Sequence, residues 1–228
     1  MTSGALHNTR YLFIKKVALV FFLCASTVFA DVYGVNEKLL DYIKRNYGDN
    51  AKTRLVEWRE IMQNESNRKL PEIQKLKLVN DFFNRVRFID DIDHWKQNDY
   101  WATPIEMLST NGGDCEDFSI AKYFTLKSLG IPVDRMRLMY VKSLLLNQAH
   151  MVLTYYPSPE TEPLVLDNLM DDIRPASTRK DLVPVYSFNG DGLWLSKEQG
   201  SGKRVGKSSR LSMWQALAER MKKEQEVK

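Results

Sequence analysis

Between residues 36 and 88 the apolar positions recur every three or four residues, the spacing of one buried helix face. Leu39, Leu40, Ile43 and Tyr47 mark a first helix, with Gly48 as its stop. Leu55, Val56, Trp58 and Ile61 mark a second. A third opens at Pro71 and Glu72, a helix-start pair, and carries Ile73, Leu76, Val79, Phe82, Phe83 and Val86 through "LPEIQKLKLVNDFFNRVRF". The polar stretch that follows, "DDIDHWKQNDYWATPIEMLSTNGG", reads as a long loop holding one helical turn.

The pattern then changes. "CEDFSIAKYFTLKSLG" predicts a helix with Ile120, Ala121, Phe124 and Leu129 inward, stopped by Gly130 and Pro132. "DRMRLMYVK", "AHMVLTYY" and "PLVLDNL" are strand-like, and "LVPVYSFN" with "GLWLS" supplies a further pair. "GSGKRVGKSS" has the composition of a flexible surface connector, and "RLSMWQALAERMKK" is an amphipathic closing helix. Helices followed by strands, without regular alternation, predict an α+β fold: a helical N-terminal half packed on an antiparallel sheet.

The first 30 residues stand apart. Arg10, Lys15 and Lys16 precede "VALVFFLCASTVFA", which ends in small residues before Asp31. A basic region, a short apolar run and a Val-Phe-Ala site make a secretory signal peptide over residues 1–30, leaving residues 31–228 as one domain. The run is short for a membrane span, which needs roughly 20 apolar residues. Such a signal suits bacterial export and points to the periplasm. Its removal takes three basic residues and no acidic one from totals of 33 and 29, leaving a net charge of +1. The basic character of the whole chain therefore makes no case for nucleic acid.

Cleavage would also remove Cys24 and leave Cys115 as the only cysteine. No intramolecular disulfide is then possible, and a lone thiol in an oxidising compartment is either buried or used. Cys115 sits in "NGGDCEDFS", where Asp114, Glu116 and Asp117 are poor company for a buried apolar side chain. As a nucleophile it must ionise, and neighbouring carboxylates oppose that. A helix N-terminus works the other way, through unpaired N–H groups and partial positive charge. The Cys115 N–H itself is a candidate oxyanion donor, and the Gly112-Gly113 pair lets backbone approach a substrate closely.

A thiolate also needs a base. Beyond residue 30 the histidines are His94, in the polar loop, and His150, at the start of "HMVLTYY". His150 on a strand beside the Cys115 helix, oriented by Asp167 from "LVLDNL", would complete a nucleophilic constellation. Taken singly, a strand-edge histidine and an Asp-Asn turn are commonly structural; the combination is more specific.

"GGDCEDFSIAKYFTLKSLGIP", "AHMVLTYY" and "LVLDNL" resemble the bacterial transglutaminase-like cysteine proteinases, as do "DYWATPIEML" and "VGKSSRLSMWQAL". The resemblance implies a papain-like, transglutaminase-like cysteine protease fold, with Cys115 as nucleophile, His150 as base and then acid, and Asp167 orienting the imidazole. It implies a calcium requirement, with Asp114 and Glu116 assigned to the ion and Asp117 as a further candidate ligand. Without the resemblance, acids in a first helical turn are explained by capping alone. The resemblance further implies a periplasmic endopeptidase that cuts a large surface adhesin near its N-terminus, at a paired-alanine site, so dispersing a biofilm. A LapD-like inner-membrane receptor that senses cyclic di-GMP would sequester it. Two other functions stay open on sequence: an acyltransferase passing the thioester to an amine, and a non-catalytic calcium-stabilised binding module.

Overall fold

Three of the expected helices form where the apolar spacing puts them: α1 (Glu37–Tyr47), α2 (Asp49–Gln63) and α4 (Glu72–Phe83). The structure is a computed structural model that describes residues 35–195, 202–208 and 211–226; the expected export signal lies outside these. Asn36 caps α1 through its side chain, which accepts from the Leu39 N–H. Gly48, at φ +88°, ends α1 and begins α2, a backbone state that other residues reach only with strain. Leu39, Leu40, Ile43, Ala51, Leu55 and Trp58 are buried, but Tyr47 and Ile73 are about half exposed, so those two positions are not core.

Three local expectations need correction. A short helix, α3 (Glu65–Lys69), intervenes between α2 and α4. The third helix ends at Phe83 instead of running to residue 88, because Arg87–Phe88 turns into strand β1 and pairs in parallel with β2 (Gly112–Gly113). The polar loop holds two helices, α5 (Asp91–His94) and α6 (Pro104–Thr110). For α6 the signal was printed in "TPIE": the Thr103 hydroxyl accepts from the Glu106 N–H, Glu106 accepts from the Thr103 N–H, and Pro104 sits in the first turn.

Helix α7 (Cys115–Ser128) forms the centre. It packs on α4 and α6 on one side and on the sheet on the other, so it is buried nearly all round and shows no clean amphipathic stripe. The sheet is antiparallel: β3 (Met136–Ser143), β4 (Gln148–Tyr155), β5 (Leu164–Leu166), β6 (Arg174–Pro175), β7 (Leu182–Phe188), β8 (Leu193–Leu195) and β9 (Lys203–Gly206), in spatial order β6-β5-β4-β3-β7-β8-β9. Strand β9 falls inside the segment expected to be a flexible connector. It pairs with β8 and sets Lys203 and Arg204 at the sheet edge, where charge discourages further pairing.

Helix α8 (Ser212–Glu226) closes the core through Trp214, Leu217 and Met221. Trp214 stacks on Phe124 at 5.5 Å and meets the Phe188 ring edge-on at 5.4 Å. The far end of α8 grips the segment before α6: Arg220 donates to the Trp101 carbonyl, and the Thr103 hydroxyl donates to Glu224. No helix among the described residues is long and apolar enough to cross a membrane.

Trp58 and Thr125 join α2 to α7 by a fully buried hydrogen bond, indole Nε1 to hydroxyl at 2.8 Å. Replacing Thr125 by Val keeps the shape and strips the indole of this acceptor. We expect urea unfolding to show a loss of about 1–3 kcal/mol, the cost of a buried donor deprived of its partner.

Candidate active site

Cys115 is the first residue of α7, and Asp114 is its N-cap. The cap is reciprocal: the Asp114 carboxylate accepts from the Glu116 N–H at 3.3 Å, and Asp117 accepts from the Asp114 N–H at 3.3 Å. The second oxygen of Asp117 accepts from the Ala102 N–H at 2.6 Å. Asp117 thus ties the start of α7 to the segment that α8 grips. Gly113 makes this possible, since a Cβ there would lie 2.6 Å from Asp117 Oδ2. At Gly112 a Cβ would lie 2.6 Å from the Ile89 side chain. The close approach these glycines allow is to the protein's own side chains.

One turn further along α7, the Ser119 hydroxyl donates to the Met151 carbonyl at 3.1 Å. The Met151 N–H bears on the Cys115 sulfur. The Ser119 contact holds α7 against β4 at the residue after His150. His150 is buried, and its Nε2 lies 2.9 Å from Asp167 Oδ1. Asp167 follows β5 directly, and β5 pairs with β4, so the two side chains meet across neighbouring strands. By strand alternation they share a sheet face with Val152 and Val165, which pack with Met139 and Val141 in a small second core. With Nε2 engaged, Nδ1 is the nitrogen left to serve a thiol.

The Asp167 carboxyl is pushed up by burial, but its hydrogen bond and charge pairing with His150, and bonds from the Leu169 N–H and Arg179, outweigh that and hold it at about 2. Arg179 was not anticipated from the sequence. It lies 12 residues downstream in an irregular turn, and its Nη2 donates to Asp167 Oδ2 at 2.8 Å. Lys122 was missed as well; it is buried in α7 near Asp167 and Asp171, and burial lowers its amine to about 7.

The sulfur itself faces acid. Cys115 Sγ donates to Glu116 Oε2 at 2.7 Å, while the other Glu116 oxygen accepts from the Tyr140 hydroxyl at 2.8 Å. Burial, then the charges of Glu116 and Asp114, push the thiol well above its ordinary range. The structure therefore brings His150 and Asp167 into contact, while the Cys115 thiol hydrogen is turned to Glu116 and no hydrogen bond among the described residues joins it to His150.

The acids also crowd one another. Asp114 is raised by burial, then by Glu116, Asp117 and Asp91. Asp117 is raised well above its usual value, first by burial, and Asp91 is raised to about 6 by burial. Oxygens of Asp91, Asp114 and Asp117 lie within 4.8 Å of one another, and Asp114 also groups with Cys115 and Glu116. Asp91 lies in α5, upstream of the expected ligands. Its Oδ2 accepts from the Tyr100 N–H, but its Oδ1 is buried with no hydrogen-bond donor among the described residues. A buried carboxylate oxygen without a donor, amid mutually repelling carboxylates, fits a hard divalent cation such as calcium. Asp117, with both oxygens given to backbone N–H groups, is the most committed elsewhere. In the sequence the signal for Asp91 was the acid-rich run "DDIDHW", which reads as an ordinary polar loop until α5 folds.

His94 bonds the Thr110 hydroxyl at 2.9 Å and packs beside Gly112. Trp101 is buried and stacked on Phe188 at 5.6 Å.

The family model described as bacterial transglutaminase-like cysteine proteinase BTLCP matches residues 44–199. Three structures of Legionella pneumophila LapG are each 44% identical to the chain and cover 81% of it. The EGTA-treated form gives a TM-score of 0.71 with 96% of its own chain covered. The form named simply LapG gives 0.70 with 96%, and the calcium-bound form 0.68 with 98%. A comparison with curated proteins returns no match.

A carboxylate held low in the folded state stabilises above its unfolded value, near 3.8, and loses that contribution as pH falls through about 2. The shift corresponds to about 2 kcal/mol. Comparing urea unfolding of the wild type and Asp167→Asn, we expect the wild type's advantage to be full at pH 6 and to shrink between pH 4 and pH 2.

Proposed function

The chain belongs to the bacterial transglutaminase-like cysteine proteinase family, and we propose that it is a calcium-dependent endopeptidase working through Cys115, His150 and Asp167. One observation carries this reading. The only cysteine beyond residue 30 begins a buried helix pinned to β4 next to His150, whose Nε2 lies 2.9 Å from a buried carboxylate.

In this reading Cys115 Sγ attacks the scissile carbonyl and forms a thioester. His150 takes the thiol proton at Nδ1 and hands it to the departing amine. Asp167, ionised, accepts from Nε2–H and so keeps Nδ1 free of a proton. The Cys115 N–H, at the unpaired start of α7, faces the developing oxyanion. Water then attacks the thioester as His150 takes its proton; the C–S bond breaks, the acid product leaves, and His150 returns the proton to the Cys115 sulfur.

Asp91, Asp114 and Glu116 are the residues assigned to calcium, with Asp117 as a further candidate. A bound calcium would supply the positive charge that offsets these carboxylates and permits a thiolate beside them. The calcium-bound and EGTA-treated forms of the 44%-identical LapG support calcium as the ion.

We further propose export to the periplasm through residues 1–30, and a large surface adhesin as substrate, cut near its N-terminus at a paired-alanine site to release a biofilm. A LapD-like, cyclic-di-GMP-sensing inner-membrane receptor would sequester the enzyme. This part of the reading rests on the family alone.

The test incubates the purified protein with the N-terminal segment of an adhesin from the same genome. We expect cleavage with calcium, none in excess EGTA, and recovery when calcium is restored. Cys115→Ala should fold and cut nothing; cleavage by that variant, or undiminished cleavage in EGTA, overturns the reading. A separate expectation concerns Asp91. Asp91→Asn should weaken calcium binding by at least tenfold in calorimetry, because a buried ligand oxygen loses its charge. Unchanged affinity would remove Asp91 from the site.

A further inference from the structure

Asp167 uses its two oxygens differently. Oδ1 meets His150 Nε2 at 2.9 Å and accepts from the Leu169 N–H at 3.1 Å; Oδ2 accepts from Arg179 Nη2 at 2.8 Å. We propose that Arg179 is a positioning residue for this site, a fourth member behind the triad that keeps Asp167 ionised and turned toward His150. The inference rests on the proteolytic reading above.

The guanidinium is itself held on two sides. Its Nε and Nη2 clamp Asp181 at 3.0 and 2.8 Å, a two-pronged pairing that fixes the plane of the group. The backbone under it is also tied. The Arg179 N–H donates to the Ala176 carbonyl, the Leu182 N–H donates to the Arg179 carbonyl, and the Leu144 N–H donates to the Asp181 carbonyl at 2.7 Å. The turn is thereby fastened to the end of β3, next to where β4 presents His150.

Stability alone is a weak reason for this arrangement. Arg179 is 5% exposed and Asp167 1%. A buried ion pair commonly gives no net stability over apolar residues of the same volume. Arg179 Nη1, moreover, is buried with no acceptor among the described residues. Orientation explains both facts. A buried Asp167 that lost the guanidinium on Oδ2 would more readily take up a proton and donate it to Nε2. The imidazole proton would then reside on Nδ1, the nitrogen that must be free to accept from the thiol. Arg179 blocks that state by charge, and by occupying Oδ2 it stops the carboxylate from rotating.

The experiment compares wild type, Arg179→Met and Arg179→Lys with calcium present, using the adhesin N-terminal segment as substrate. Thermal unfolding is followed in parallel, together with proton NMR of the His150 Nε2–H in protein labelled with ¹⁵N-histidine. We expect Arg179→Met to lower kcat by about 10–100-fold with KM little changed, the usual scale for a group acting through another. Arg179→Lys, which keeps the charge but not the fork, should recover part of that loss. The wild type should show a downfield, slowly exchanging Nε2–H signal. That signal should shift or vanish in Arg179→Met and persist in Arg179→Lys. An unchanged signal, a kcat within twofold of wild type in folded Arg179→Met, or equal losses in both variants that track unfolding temperature would overturn the proposal. Cleavage persisting in Cys115→Ala, or a wild type that never cuts the segment, counts instead against the proteolytic reading, and the imidazole signal then decides Arg179 by itself.

Discussion

Negative charge packed against a buried sulfur is the constraint around which this molecule is arranged. Asp114, Glu116 and Asp117 occupy the first turn of α7 on either side of Cys115, and Asp91 closes on them from α5. Burial raises the proton affinity of Asp91, Asp114 and Asp117, and the neighbouring negative charges raise it further. Left to itself such a cluster holds protons, and so does the thiol beside it. A cluster of this kind makes sense as a receptor for positive charge. The neighbouring structure serves to hold it open: Asp117 is spent on backbone N–H groups, and Glu116 is held by Tyr140.

Opposite the acids stands a second charged assembly with different logic. His150, Asp167, Arg179 and Asp181 form a line of hydrogen bonds that begins on β4, crosses to the end of β5 and leaves through the turn before β7. Each member is oriented by the next, and the antiparallel register sets the spacing. The α7 helix joins the two assemblies through Ser119 and Cys115, both against Met151. In the proposed mechanism a rigid sheet and a buried helix would serve to offer a thiol and an imidazole, 35 residues apart in the chain, to one substrate.

The segment from Tyr100 to Thr103 links the acid cluster to the rest of the fold. It reaches Asp91 through the Tyr100 N–H and Asp117 through the Ala102 N–H, and α8 fastens it from outside through Arg220 and Glu224. None of this was readable from composition. "DYWATP" looks like an unstructured polar stretch because its contacts are made largely by its own backbone groups, with side chains 9 and 15 positions away and with α8 residues 119 and 121 positions away. The capping box in "TPIE" was readable and was outweighed by the polar surroundings.

What the residues declare by themselves is local and periodic. Three- and four-residue spacing gave α1, α2, α4, α7 and α8, and apolar runs bounded by turns gave β3, β4, β5, β7 and β8. A cysteine at a predicted helix start, a strand histidine and a strand-end aspartate were already the candidates Cys115, His150 and Asp167. Pairing across space was not available to that reading. The entry of Asp91 into the acid cluster, the hold of Arg179 on Asp167, the hydrogen bond from the thiol to Glu116 and the recruitment of "GKRVG" as strand β9 all depend on which elements become neighbours. Backbone periodicity is encoded in adjacent residues. A carboxylate or guanidinium acquires its role only when folding removes water and leaves it one partner, and that partner is chosen by the packing of the whole chain.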